Sequence, residues 1–136
     1  LPAPFGYGYS LAMLSPRILE RSSVLYIWVT PEESRRKNVA RTDPNDPGSI
    51  LHHGVPESVM RGDYGCDDME WLLGQSDRPN TIRIQAHGKT WTLPGGRFDN
   101  RVDRTSFIRA DPKKWAAADV QALHDGLKEA FAALRR

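Results

Sequence analysis

A single cysteine, Cys66, stands in the 136-residue chain. It cannot close an internal disulfide, so the fold must hold by packing, and nothing requires an oxidising compartment. No apolar run approaches the roughly 18 residues that cross a bilayer, which excludes a membrane-spanning helix. The first nine residues lack the basic start and apolar stretch of a secretory leader, and a cytoplasmic address is the expectation. Charge of one sign is also scarce. The formal net charge is +2, too little to demand nucleic acid, because non-specific binding needs several phosphate-neutralising cations on one surface. There is no internal repeat and no low-complexity tract.

What is present has ordinary globular character. Hydrophobic residues make up 39%, and at about 100–200 residues per domain the length accommodates one. The expectation is a single domain, or domain fragment, over residues 1–136. The chain begins with Leu1 rather than methionine, which reads as processing or as a piece of something longer.

Residues 1–9 are rich in Pro, Gly and Tyr and read as an extended opening loop. Ser15-Pro16 then opens a short helix, since Ser suits the N-cap and Pro is tolerated at the first helical position. Residues 24–29, Val-Leu-Tyr-Ile-Trp-Val, are apolar without alternation and predict a strand covered on both faces. Thr30, Pro31 and Glu33 follow at capping-box spacing and start a helix reaching about Arg41.

The Pro- and Gly-rich stretch over residues 42–64 predicts a flexible, lid-like segment with one helical turn after Pro56. Asp67 suits the cap of a short helix that Gly74 ends. Ile82, Ile84, Trp91 and Leu93 alternate with polar residues around His87-Gly88, the pattern of a hairpin, which Pro94-Gly95-Gly96 should break. Residues 105–108 are expected to be extended. Val120, Leu123, Leu127, Phe131 and Leu134 recur at steps of three and four, one apolar stripe of a final helix. The fold class is α/β: a small mixed sheet with one buried strand, a hairpin and flanking helices, an arrangement that fits part of a larger three-layer α/β/α fold.

Two glycine motifs fail on inspection. Gly88-Lys89-Thr90 has Arg83 where a phosphate loop needs its first glycine, and Gly6-Tyr7-Gly8 has Leu11 where a dinucleotide fingerprint needs its third. The basic run Arg35, Arg36, Lys37 and Arg41 carries more. Its spacing allows at least two guanidinium groups to face one pocket, where Arg binds phosphate bidentately. The competing reading is a solvated helix face with Glu32–Arg36 and Glu33–Lys37 pairs.

His52 and His53 are adjacent and point apart on any regular element. With Asp63, Asp67 and Asp68 they match no metal-ligand spacing, so no metal ligand is assigned, and Asp67 and Asp68 also suit a helix N-terminus. Acidic neighbours disfavour a reactive thiolate at Cys66.

The strand at 24–29, the capped helix with Arg35, Arg36 and Arg41, the loop-rich stretch at 43–63, and Phe98-Asp99-Asn100 before a last helix together resemble the C-terminal half of a P-loop kinase-like protein. The resemblance implies a nucleotide-linked phosphotransferase module using ATP and Mg2+. In it, Arg35, Arg36 and Arg41 stabilise the transferred phosphoryl group, and His52, His53, Asp63, Asp67 and Asp68 face the acceptor. It also implies a nucleotide or phosphorylated small molecule as ligand, and a missing N-terminal half or partner chain. The phosphate loop is absent from this sequence, so the chain by itself is not expected to catalyse transfer. The alternatives are a non-catalytic α/β module for protein or nucleic-acid interaction and a metal-dependent hydrolase built on His52, His53 and the acidic cluster.

Overall fold

The computed structural model describes residues 3–43, 45, 53–62 and 66–135. Among these residues six α-helices and three strands follow in the order α1 (Tyr7–Ala12), α2 (Pro16–Leu19), β1 (Val24–Trp28), α3 (Pro31–Arg41), α4 (Glu57–Gly62), α5 (Met69–Gly74), β2 (Thr81–Ala86), β3 (Lys89–Asp99) and α6 (Ala117–Ala132). Two 3-10 turns, Ser106–Arg109 and Pro112–Lys114, lie between β3 and α6. The molecule is a small α/β fold around a mixed three-stranded sheet.

The sheet order is β1-β3-β2, with β3 in the centre. β2 and β3 form the expected antiparallel hairpin, from Ala86 opposite Lys89 to Thr81 opposite Pro94. His87 and Gly88 both take positive φ in its two-residue turn, the conformation such hairpins require. β3 does not break at Pro94-Gly95-Gly96. Its first half pairs with β2, and from Gly95 onward it pairs in parallel with β1, from Val24 opposite Gly95 to Trp28 opposite Asp99. Pro94, which has no N–H to give, occupies the last rung of the β2 ladder, where the strand changes partner.

The main core lies on one face. Leu19, Met69, Leu72, Ile82, Ile84, Trp91 and Leu93 pack there with Tyr26, under α1, α2 and α5. α6 covers part of the opposite face by a close approach. A Cβ on Gly96 would collide with the backbone carbonyl of Ala130, and one on Gly126 would meet the Phe98 ring. Two glycines therefore let a helix lie directly on the strand.

Several local expectations change. A helix begins at Tyr7, inside the stretch expected to be a loop, because the Asp68 carboxylate accepts the Tyr7 and Gly8 N–H groups at 2.6 and 3.3 Å. The region 105–108 is a 3-10 turn rather than extended, with Asp103 accepting from the Thr105 and Ser106 N–H groups. β1 is not buried on both faces: Ile27 is 47% exposed. β1 is the sheet edge, and α6 reaches β3 without covering Ile27. The stripe on α6 is also rotated. Ala130 is buried whereas Phe131 is 55% exposed, because the docked face is set by the small residues Gly126 and Ala130.

Candidate functional site

A cavity of about 1030 Å³ opens beside β1. Val29, Thr30 and Pro31, where the chain leaves the carboxyl end of β1, form part of its wall, the position at which open α/β sheets receive ligands. α3 begins there because the Thr30 hydroxyl accepts the Glu33 N–H at 3.1 Å and Pro31 fixes the first turn. Pro31, Ser34, Arg35, Asn38 and Arg41 recur at helical spacing and line the cavity from this helix.

Met60 and Arg61 of α4, with Val55, line the cavity as well. Asn38 holds that segment in place by two bonds. Its Nδ2 donates to the Val55 carbonyl at 2.7 Å, and its Oδ1 accepts the Val55 N–H at 2.8 Å. Arg35, Arg41 and Arg61 thus line one space from two helices. Arg35 has only a 3.4 Å contact with Glu32, Arg61 is paired with Glu57 at 2.6 Å, and Arg41 has no carboxylate partner among the described residues. Guanidinium groups in this arrangement present forked donors that fit carboxylate or phosphate oxygens.

The remaining wall comprises Phe5, Tyr7, Tyr26, Ile27, Cys66 and Asp67. The Tyr26 hydroxyl donates to Asp67 Oδ2 at 2.6 Å, while Asp67 Oδ1 accepts the Met69 N–H at 3.0 Å, satisfying the first N–H of α5 from just ahead of its N-cap, Asp68. The Tyr7 and Tyr26 rings meet edge to face, 6.4 Å between centroids. Burial pushes both phenols above their ordinary range. The hydrogen bond to Asp67 adds to the shift at Tyr26, and the charges of Asp67 and Asp68 add to that at Tyr7. Both are protonated at neutral pH, and Tyr26 acts as a donor to Asp67.

The structure separates the other expected site residues. Arg36 does not line the cavity: it binds Glu33 at 2.6 Å and Asp103 at 3.0 Å. The sequence pairs Glu32 with Arg36, but Asp103, on the loop after β3, draws Arg36 to its own side, and Glu32 meets Arg35 instead. Lys37 joins the same network, 3.3 Å from Asp103. Asp68 caps α1 rather than lining the cavity, and exposed His53 is not part of its wall. His52 and Asp63 lie outside the described residues.

Arg61, Asn38 and Tyr26 line the site but are not among the residues singled out from sequence. Arg61 lies outside the basic run, in the loop-rich stretch, and the 17-residue separation of Asn38 from Val55 leaves no local pattern. No protein-family model, curated protein or solved structure matches the chain.

Proposed function

We propose that this chain is a nucleotide-linked, phosphotransferase-like module whose cavity holds the phosphate groups of a nucleotide or phosphorylated small molecule. The observation that carries the reading is the placement of Arg35, Arg41 and Arg61 around one space, with Arg41 unneutralised among the described residues. Preorganised guanidinium groups stabilise charge that develops on a transferred phosphoryl group without reorganising. The sequence contains no phosphate loop, so the module works together with polypeptide that supplies one, and alone it binds rather than transfers.

ATP and magnesium are the cofactors this reading takes. Magnesium would arrive on the nucleotide, which is its usual mode of binding. Among the described residues no group of three or more His, Cys, Asp or Glu side chains gathers to cage a metal. Asp67 is a carboxylate lining the cavity and faces the acceptor side in this scheme.

The test is equilibrium titration with ATP, with and without magnesium. Arg35→Gln and Arg41→Gln should each weaken binding about tenfold, the scale of one charge-assisted bond. Arg36→Gln should leave it unchanged, since Arg36 is engaged by Glu33 and Asp103. No binding at millimolar ATP, or an affinity indifferent to magnesium, would sink the kinase-like reading. A non-catalytic interaction module is favoured by one observation, the outer edge of β1, which pairs with no strand among the described residues. Its nucleic-acid version predicts steep salt dependence with a short oligonucleotide.

A further inference from the structure

We infer that the outer edge of β1 is a docking site for an additional strand, supplied by a different polypeptide and carrying acidic side chains. The inference starts from hydrogen-bond direction. The Trp28 carbonyl accepts the Asn100 N–H at 2.8 Å, so the backbone groups of Trp28 face β3. In a strand, one residue's N–H and C=O point to the same side and alternate along the chain. Val24, Tyr26 and Trp28 therefore bond β3, while Leu25 and Ile27 aim their N–H and C=O groups away from the sheet. Among the described residues those outward groups meet no other backbone.

An edge of this kind is a template for strand addition. Natural proteins guard such edges with lysine, proline or a bulge, and residues 24–28 contain none of these charges or breakers. Ile27 is 47% exposed on the face that α6 leaves open, so an arriving strand also gains apolar contact. The cavity walls beside this edge select the charge of the occupant. Arg35, Arg41 and Arg61 line the same cavity as Tyr26 and Ile27 of this strand. A second copy of the chain would bring the same cations toward themselves, whereas an acidic strand satisfies them.

The first measurement is amide hydrogen exchange of the chain alone. Leu25 and Ile27 should exchange fast, and Tyr26 and Trp28 slowly. Slow exchange at Leu25 and Ile27 in a monomer would show the edge already covered and overturn the inference. The second measurement adds a synthetic heptapeptide of alternating valine and glutamate, with a valine–lysine counterpart as control. The glutamate peptide should slow exchange at Leu25 and Ile27, and the lysine peptide should not. Ile27→Pro removes an outward N–H and trims the exposed side chain while leaving the bonds to β3, a change that an edge strand tolerates. It should weaken the peptide at least about tenfold while Tyr26 and Trp28 stay protected. Equal response to both peptides, no response to either, or sedimentation as a dimer with protected Leu25 and Ile27 would each contradict an acidic strand from another polypeptide. ATP binding is read separately, so failure here does not touch the phosphate-binding proposal.

Discussion

At the residue scale, four carboxylates among the described residues, Asp67, Asp68, Glu70 and Asp103, fasten distant segments together. Asp68 holds the first turn of α1 from 61 residues away. Asp68→Ala should lower the unfolding free energy by about 1 kcal/mol, the usual cost of losing a cap, as measured by denaturant unfolding. Asp103 and Asp99 make stability pH-dependent. Burial pushes the Asp103 carboxyl up, but hydrogen bonds from Ser106 and Thr105 and the nearby Lys37 outweigh it and hold the carboxyl below its ordinary range. Hydrogen bonding from Arg101 lowers Asp99 to about 2.

For a carboxyl lowered on folding, the contribution to stability is complete above its unfolded pKa, about 3.9. It is lost as pH falls toward the folded value. Thermal unfolding between pH 6 and pH 2 should show a melting temperature that declines below about pH 4, and Asp103→Asn should flatten that decline. An equally steep decline in the variant would show that Asp103 is not among the groups responsible.

At the element scale, the attachment of α6 to β3 depends on absent side chains. Gly96→Ala forces a methyl group against the Ala130 carbonyl, where neither backbone can yield cheaply. It should cost about 1–3 kcal/mol or more. Gly126→Ala meets the ring of Phe98, which is 1% exposed, although alanine's better helix propensity, worth about 1 kcal/mol, offsets part of that cost. Gly96→Ala should therefore be the more destabilising of the two in urea unfolding, and the reverse order would contradict this packing.

The same contact shows what sequence patterns convey. Alternation around His87-Gly88 and the Thr30-Pro31-Glu33 cap are local signals, and the hairpin and α3 form as read. The face of α6 was less legible, because hydrophobic periodicity counts Phe131 and ignores Gly126, while close approach favours the glycine. The continuity of β3 through Pro94-Gly95-Gly96 was hidden for a related reason. Those residues break a strand flanked by one partner throughout, but β3 exchanges β2 for β1 at that point. Arg35 and Arg41 were visible as a basic run. Their union with Arg61 depends on the Asn38–Val55 clamp, which joins segments with no shared periodicity.

At the scale of the whole molecule, the packed core and the chemistry lie on different parts of the sheet. α1, α2 and α5 seal one face, α6 covers part of the other, and the arginine-lined cavity lies along the edge strand β1. A ligand there meets cations from α3 and α4 together with the protonated Tyr7 and Tyr26. The proposed function therefore predicts that the isolated chain binds phosphate without transferring it. The most direct measurement is a pyrophosphate titration followed through the Nε–Hε resonances of the arginine side chains. Those of Arg35, Arg41 and Arg61 should shift together and saturate, while Arg36, held by Glu33 and Asp103, and Arg101, held by Asp99, stay in place. No saturable shift, or shifts centred on Arg36 and Arg101, would contradict the assignment of the cavity as the phosphate site.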